Sequence, residues 1–369
     1  MNADIDRLRL ARTDAVGPVA YRRLMARFGT ADAALEALPG LARAGGRVDA
    51  PRTPPAGEAR REFEAVAALG GMLVFLGDDL YPPLLAWLDD APAVMAVLGD
   101  ASLLSARAVA VVGSRNASAN GQRLAEGLAA DLAAAGLVVV SGLARGIDAA
   151  ADKGALRTGT TVACVAGGPD VVYPREHRAL QAQIAEGGAV VAEHAPGVQP
   201  QARHFPRRNR LIAGLSLGVL VVEAAPRSGS LITARLGAEA GREVLAVPGS
   251  PLDPRSRGAN GLIRDGAHLV ETAQDVLEAL PADGSRLRFS ERQKPSDAPP
   301  GPARAMAGFE HAAVLDAVLA LLGAAPTHVD DLIRRCQFSG PAVLSVLLDL
   351  ELAGRIETLP GNRVALLGG

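Results

Sequence analysis

The chain has 369 residues, 49% of them hydrophobic, with 38 basic against 40 acidic side chains. Such a length and apolar content suit two or three packed domains, and near-neutral charge makes any cationic cluster a local feature that needs a local reason. No uninterrupted apolar run reaches about eighteen residues, and MNADIDRLRLAR lacks the apolar stretch of a signal peptide, so membrane spanning and secretion are not expected and the cytoplasm is.

The first domain, expected over 1–68, reads as short helices: Leu8, Leu10, a Gly17-Pro18 turn, Tyr21, Leu24, Met25 and Phe28, then Ala34, Leu35 and Leu38. It looks like a small helical domain with a hairpin, and Arg22, Arg23 and Arg27 are read as facing solvent. The segment AGGRVDAPRTPPAGEA, rich in proline and glycine, is expected to loop out.

Over 69–282 short β-rich apolar runs alternate with helical segments, as in a parallel sheet covered on both faces. Candidate strands are 108–113, 137–142, 161–167, 189–194, 218–224 and 243–249. Leu124, Leu128 and Leu132 recur four apart, so the helix between the first two strands should pack on the sheet. The fold class is α/β: an extended Rossmann-like, doubly wound, mostly parallel sheet with a small helical N-terminal domain and a C-terminal winged-helix domain.

Segment 283–308 is rich in proline and charge and reads as a linker. In 309–369, helices precede two short strands about a Pro-Gly-Asn turn, which suggests a winged helix. That module has four basic residues, Arg334, Arg335, Arg355 and Arg363, against seven acidic ones. Its expected recognition helix, Ser339 to Leu352, has no basic residue and carries Asp349 and Glu351, so DNA phosphates would repel it. A protein-contact or intramolecular role is expected instead.

Candidate ligand contacts gather after the strands of the central domain, where loops and helix N-termini favour anions. The first strand ends in Gly113-Ser114-Arg115-Asn116, with Gly121 further on. This is not the dinucleotide fingerprint G-x-G-x-x-G. The second ends in SGLARGID, where Gly142 and Gly146 allow close backbone approach, Arg145 projects, and Asp148 is suited to cap the next helix. Tyr173 and Arg175 follow the third strand and offer stacking beside a phosphate contact.

RHFPRRNR, residues 203–210, holds four arginines and a histidine, and no acid lies between Glu193 and Glu223. Arg207, Arg208, Asn209 and Arg210 are candidates to bridge phosphates. The bland alternative pairs one or two of these arginines with Glu193 or Glu223. Ser228, Gly229 and Ser230 open a helix as a second candidate oxyanion nest. With 3% aromatic residues, extensive base stacking is not available.

No Walker loop, G-x-S-x-G elbow, H-E-x-x-H or paired carboxylates near the glycine turns are found, so no catalytic residue and no cofactor is expected. Cys164 and Cys336, far apart in apolar segments, make neither a disulfide framework nor a metal cluster.

The blocks AVVGSR, SGLARGID, GGPDVVYP, FPRRNRLIAGLS, VVEA, SGSLITA, AVPG and GANGLIRDGA, in this order over about 160 residues, resemble the DNA-processing protein A family (DprA, also called Smf). The flanks also resemble it, in a sterile-alpha-motif-like N-terminal domain and a C-terminal winged helix. The resemblance implies a cytoplasmic single-stranded-DNA-binding recombination mediator, not an enzyme. It would protect incoming strands in natural transformation, load RecA recombinase and act as a homodimer through the Rossmann-like domain. DNA contacts would fall on Arg115, near Arg175, and on Arg208 and Arg210. Where many members have histidine, this chain has Asp152.

The rival reading is a Rossmann-type phosphoribohydrolase of the lysine-decarboxylase-like kind, which needs a carboxylate three residues after Thr233. Leu236 stands there instead. A third reading is an interaction scaffold whose arginines serve protein partners.

Overall fold

The computed structural model describes residues 2–281, 308–323, 325–359 and 362–367. The expected linker over 283–308 lies outside them, except for Gly308. The chain forms two compact units, one from the described parts of Met1–Arg61, Asp89–Ala93 and Gln293–Gly369, the other from the described parts of Glu62–Leu88 and Val94–Arg292.

In the first unit α1 (Asn2–Ala11), α2 (Pro18–Phe28) and α3 (Ala31–Ala44) bury Leu10, Tyr21, Leu24 and Leu38 together. Proline opens α2, where its missing N–H costs nothing, and Thr30 accepts from Ala33 N at 3.3 Å to cap α3. α4 (Ala56–Ala68) follows, its residues from Glu62 onward belonging to the second unit. The C-terminal part of this unit is a winged helix. Its helices are α13 (Gly308–Leu321), α14 (Val329–Cys336) and α15 (Gly340–Leu352), and β10 (Thr327–His328) joins the hairpin of β11 (Ile356–Leu359) and β12 (Arg363–Leu366). Val314, Val318, Leu332, Val346 and Leu350 are at its centre.

The second unit is a nine-stranded sheet in the order β1-β2-β6-β5-β4-β3-β7-β8-β9. Its strands are β1 (Gly71–Phe75), β2 (Val94–Gly99), β3 (Ala108–Val112), β4 (Val138–Ser141), β5 (Thr161–Val165), β6 (Ala189–Ala192), β7 (Gly218–Val221), β8 (Glu243–Ala246) and β9 (His268–Leu269). Helices α5 (Pro83–Ala86), α6 (Ala119–Ala134), α7 (Ile147–Thr158), α8 (Arg178–Gly187), α9 (His204–Gly214), α10 (Gly229–Glu239), α11 (Arg257–Arg264) and α12 (Ala273–Ala279) complete it.

Every residue of β3 to β7 is buried, which is why these strands are near-continuous apolar runs rather than alternating ones. Leu128 and Leu132 of α6 are buried in the core and Leu124 packs against it, as their spacing predicts. The pairs β1/β2 and β2/β6 are antiparallel and the rest parallel. Sequence periodicity did not anticipate β1, β2 and β9. Among the described residues no helix is long and apolar enough to cross a membrane.

Candidate nucleic-acid interface

The chain leaves β3 towards β4, β5 and β6, then returns on the other side of β3 as β7. In a doubly wound sheet that reversal opens a crevice at the carboxyl ends of the two neighbouring strands. A groove of about 530 Å³ lies there. Gly113, Ser114, Arg115 and Asn116 line it from the β3 turn, Arg227, Ser228, Gly229 and Ser230 from the β7 turn, and Phe205 and Asn209 from α9.

Two helix N-termini are near this groove, and they are not equivalent. At α6, Ser118 Oγ accepts from Gly121 N at 2.9 Å. The carboxylate of Glu223 accepts from Ser118 N at 2.9 Å and from Ser118 Oγ at 2.6 Å. The site where a Rossmann-like fold would seat a phosphate therefore already holds an anion of the protein itself. Gly121 makes room for it, since a Cβ there would stand 2.5 Å from Glu223 Oε1. Glu223 thus serves α6 and not the arginine cluster.

At α10 the situation differs. Ser228 caps the helix and its hydroxyl lies 2.7 Å from that of Ser230, while Gly229 opens onto free space. With Arg227 exposed beside it, this N-terminus retains the capacity to receive an external anion.

Beside the groove is a narrower slot. It is lined by Arg115, Gly142 and Arg145 from the β3 and β4 turns, Tyr173 and Pro174 from the β5 turn, and Phe205 and Arg208 from α9. The Arg115 guanidinium lies over the Phe205 ring at 4.7 Å, and Tyr173, half exposed, meets the same ring at 5.7 Å between centroids. A cation and two aromatic rings thus converge from the β3 turn, the β5 turn and the start of α9. Phe205 was not singled out in the sequence, although an aromatic inside an arginine cluster is the signal that points to it.

Arg145 is exposed and ion-paired with Glu176, whose carboxyl is held below its ordinary range by the hydrogen bond from Arg145. Gly146, at φ +77°, lets the loop approach Ser114 O, which a Cβ would meet at 2.2 Å. Arg175 stands exposed on the turn after Pro174 and lines neither cavity.

RHFPRRNR was expected to present its side chains to phosphates in succession. The segment is instead the start of α9, where consecutive side chains point about 100° apart, so it cannot form one cationic row. Arg207 is exposed, whereas Arg208, Asn209 and Arg210 are buried. Arg210 is paired with Glu193, as the bland alternative has it.

Arg208 donates to Gly142 O and, at 2.6 Å, to Cys164 O, and Asn209 Oδ1 accepts from Arg208 Nε at 3.3 Å. Its guanidinium thereby ties the ends of β4 and β5 and forms the floor that both cavities share.

Next to Arg208 lies a buried acidic pair, Asp148 and Asp152. Asp148 does not cap α7 with its side chain, because Gly146 holds the cap position; its carboxylate accepts from the backbone of Ala144 and Gly113 instead. Burial raises its pKa against the pull of Arg208. Asp152 is deeper, and burial pushes it up to about 8. Cys164, pushed up to about 12 by burial, is an unreactive thiol. Leu236, where the rival reading needs an acid, is a buried apolar side chain. Among the described residues no group of histidine, cysteine or carboxylates could hold a metal ion.

Residues 72–281 match the family model for DNA recombination-mediator protein A, residues 2–65 the DprA-like N-terminal HHH domain, and residues 298–362 the DprA winged helix domain. The N-terminal helices therefore match an HHH domain where a sterile-alpha-motif-like one was expected. The chain is 42% identical to Protein Smf of Escherichia coli K12 over 296 residues, 80% of this chain and 77% of that one. It is 48% identical to DNA processing protein DprA of Streptococcus pneumoniae over 201 residues, 54% and 71% of the two chains.

The solved structure of the Streptococcus pneumoniae protein superposes with a TM-score of 0.59 at 43% identity, covering 62% of this chain and 80% of that one. DNA processing protein A from Helicobacter pylori, reported for its single-stranded DNA binding mode, superposes at 0.51 and 30% identity, covering 56% and 94%.

Proposed function

The chain belongs to the DNA recombination-mediator protein A family, and on that premise we propose that it binds single-stranded DNA along the carboxyl edge of the central sheet. One base enters the slot between Arg115, Phe205 and Tyr173. The neighbouring phosphates follow the groove past Arg227 towards Ser228, Gly229 and Ser230 at the head of α10. Arg145 and Arg175 flank the path as exposed cations, and Arg208 supports it from below. The observation that carries this reading is the stacking of the Arg115 guanidinium on Phe205 at the mouth of a glycine-lined slot.

The chemistry favours an unpaired strand. A duplex hides its base faces, whereas a slot walled by rings and a guanidinium recognises a π-face without regard to sequence. In this proposal the protein acts in the cytoplasm as a homodimer, protects incoming strands in natural transformation, hands them to RecA and catalyses no reaction. Fluorescence titration with an oligothymidylate and its duplex counterpart tests it. We expect tighter binding of the single strand and an affinity that falls as salt rises. Equal affinity for both forms would refute it.

One observation speaks for the rival enzymatic reading: Asp148, a buried carboxylate with a raised pKa, lines the groove. Its backbone donors and its position opposite Arg208 fit a structural anchor better than a general acid. Release of free base from nucleoside monophosphates would decide for the enzyme.

A further inference from the structure

The helix α15, the recognition helix of the winged-helix module, divides its apolar side chains between two cores. Val343, Val346, Leu347 and Leu350, spaced three and four apart, pack inside the winged helix itself. Leu348 and Leu352, four apart on another face, are 2% and 0% exposed inside the core of the N-terminal helices, with Leu10, Tyr21, Leu24 and Leu38. Polar contacts follow the same seam. Arg47 donates to Leu352 O at 3.3 Å, at the electronegative end of α15, and Arg27 reaches Ser345 Oγ at 3.5 Å. Arg23, which the sequence alone left facing solvent, is half-buried and feels the attraction of Glu351 and Asp89. Gly45, just past α3, lies so close that a Cβ would stand 2.0 Å from Asp349 O.

We propose that this winged helix is an intramolecular clasp: α15 is the docking surface for the chain's own N-terminal helical domain, and it does not enter a DNA groove. Groove-reading helices need an exposed face with cations to meet phosphate. Here that face is covered: Glu351 faces Arg23 of α2, while Asp349 is held inside the module by His311 at 2.8 Å and only its longer-range field reaches Arg27. The composition of α15 suits an arginine-bearing helix as partner and suits a polyanion poorly. Joining the first and last modules of the chain also makes them one cooperative body, so that loosening either releases both.

The test uses the full-length chain carrying Leu348→Cys, since Cys164 and Cys336 are both buried. Reaction of the new thiol with a chromogenic disulfide reports opening of the seam. Gly45 has φ −75° and ψ −2°, which alanine adopts without strain, so Gly45→Ala disturbs the seam and not α3. Added to Leu348→Cys, it should speed the reaction about tenfold or more. In the same background Arg23→Glu and Glu351→Arg should each accelerate it alone, and together restore the slow rate. This keeps the proposal testable should Gly45→Ala fail to fold. Duplex DNA should leave the rate unchanged. Equal rates in all variants, no restoration by the double charge swap, or acceleration by duplex DNA would overturn the clasp.

Discussion

The carboxylate of Glu223, at the end of β7, accepts hydrogen bonds from both the amide and the hydroxyl of Ser118, which caps α6. Two crossing elements of the switch point are thereby joined by a charge that the helix N-terminus favours. Glu223→Ala leaves Ser118 and the first turn of α6 without that acceptor, and should cost about 1–3 kcal/mol in urea unfolding. A double-mutant cycle with Ser118→Ala should show a coupling of about 0.5–3 kcal/mol. Independent, additive losses would mean that the pair contributes nothing beyond its separate residues.

The buried Asp152 sets a pH dependence. Thr161 Oγ1 lies 2.9 Å from both Val139 O and Asp152 Oδ1, yet its hydroxyl has a single hydrogen. Both contacts are satisfied when Thr161 donates to Val139 and a protonated Asp152 donates to Thr161. That agrees with a carboxyl pushed by burial from 3.8 to about 8. The folded state then keeps a proton that the unfolded chain releases, so stability falls as pH rises from about 4 to about 8, by about 1.4 kcal/mol per unit from this group. Asp152→Asn, whose amide can donate to Thr161 in the same way, should remove that slope. Urea midpoints measured across the window for both proteins test it, and parallel curves would show that Asp152 is already ionised.

Arg208 and Arg115 line the same slot but should fail differently when truncated. Arg208 is buried, and its removal strands the carbonyls of Gly142 and Cys164 and takes from Asp148 the stronger of its two cations, leaving only Arg115. Arg208→Ala should therefore cost about 3–5 kcal/mol of stability, with DNA binding lost as a consequence. Arg115, exposed over Phe205, should leave the unfolding midpoint within about 0.5 kcal/mol of the parent when changed to alanine. Circular-dichroism melts of the two variants separate these outcomes.

The parts of the fold legible in the sequence are those that local pattern determines. Each strand from β3 to β8 is a short apolar run ending at a glycine or a small turn, and the N-cap serines Ser118 and Ser339 stand where their helices begin. β1, β2 and the two-residue β9 were not picked out, although β1 and β2 are apolar runs of the same kind; what local pattern does not give is their antiparallel pairing, in which Val97 lies opposite Val191. The convergence of the candidate residues was legible in outline, since Arg115, Gly142, Arg145 and Tyr173 line one slot. Charge counting could not tell which arginines of RHFPRRNR face inward, because that depends on the segment being helical and on where Glu193, Gly142 and Cys164 lie in space. The acidity of α15 was visible. Its arginine partners, more than 300 residues earlier in the chain, were not.

Exposed cations on the proposed DNA path should differ in worth according to their partners. Arg115 stacks on a ring and keeps its charge for a ligand, so Arg115→Ala should weaken oligothymidylate binding by about 1–3 kcal/mol and lower the salt slope by about 0.7 if a phosphate contact is lost. Arg145 is different, because Glu176 already neutralises it. Arg145→Ala should cost less than Arg115→Ala, since an exposed pair must be broken before the guanidinium can serve a phosphate. Glu176→Gln should do the reverse: it frees Arg145, removes a negative charge from the rim, and should tighten single-strand binding while steepening its salt dependence. Titrations of the three variants at two salt concentrations measure all these terms. Weaker binding by Glu176→Gln would mean that the ion pair positions the loop, and that Arg145 serves the slot only as part of that pair.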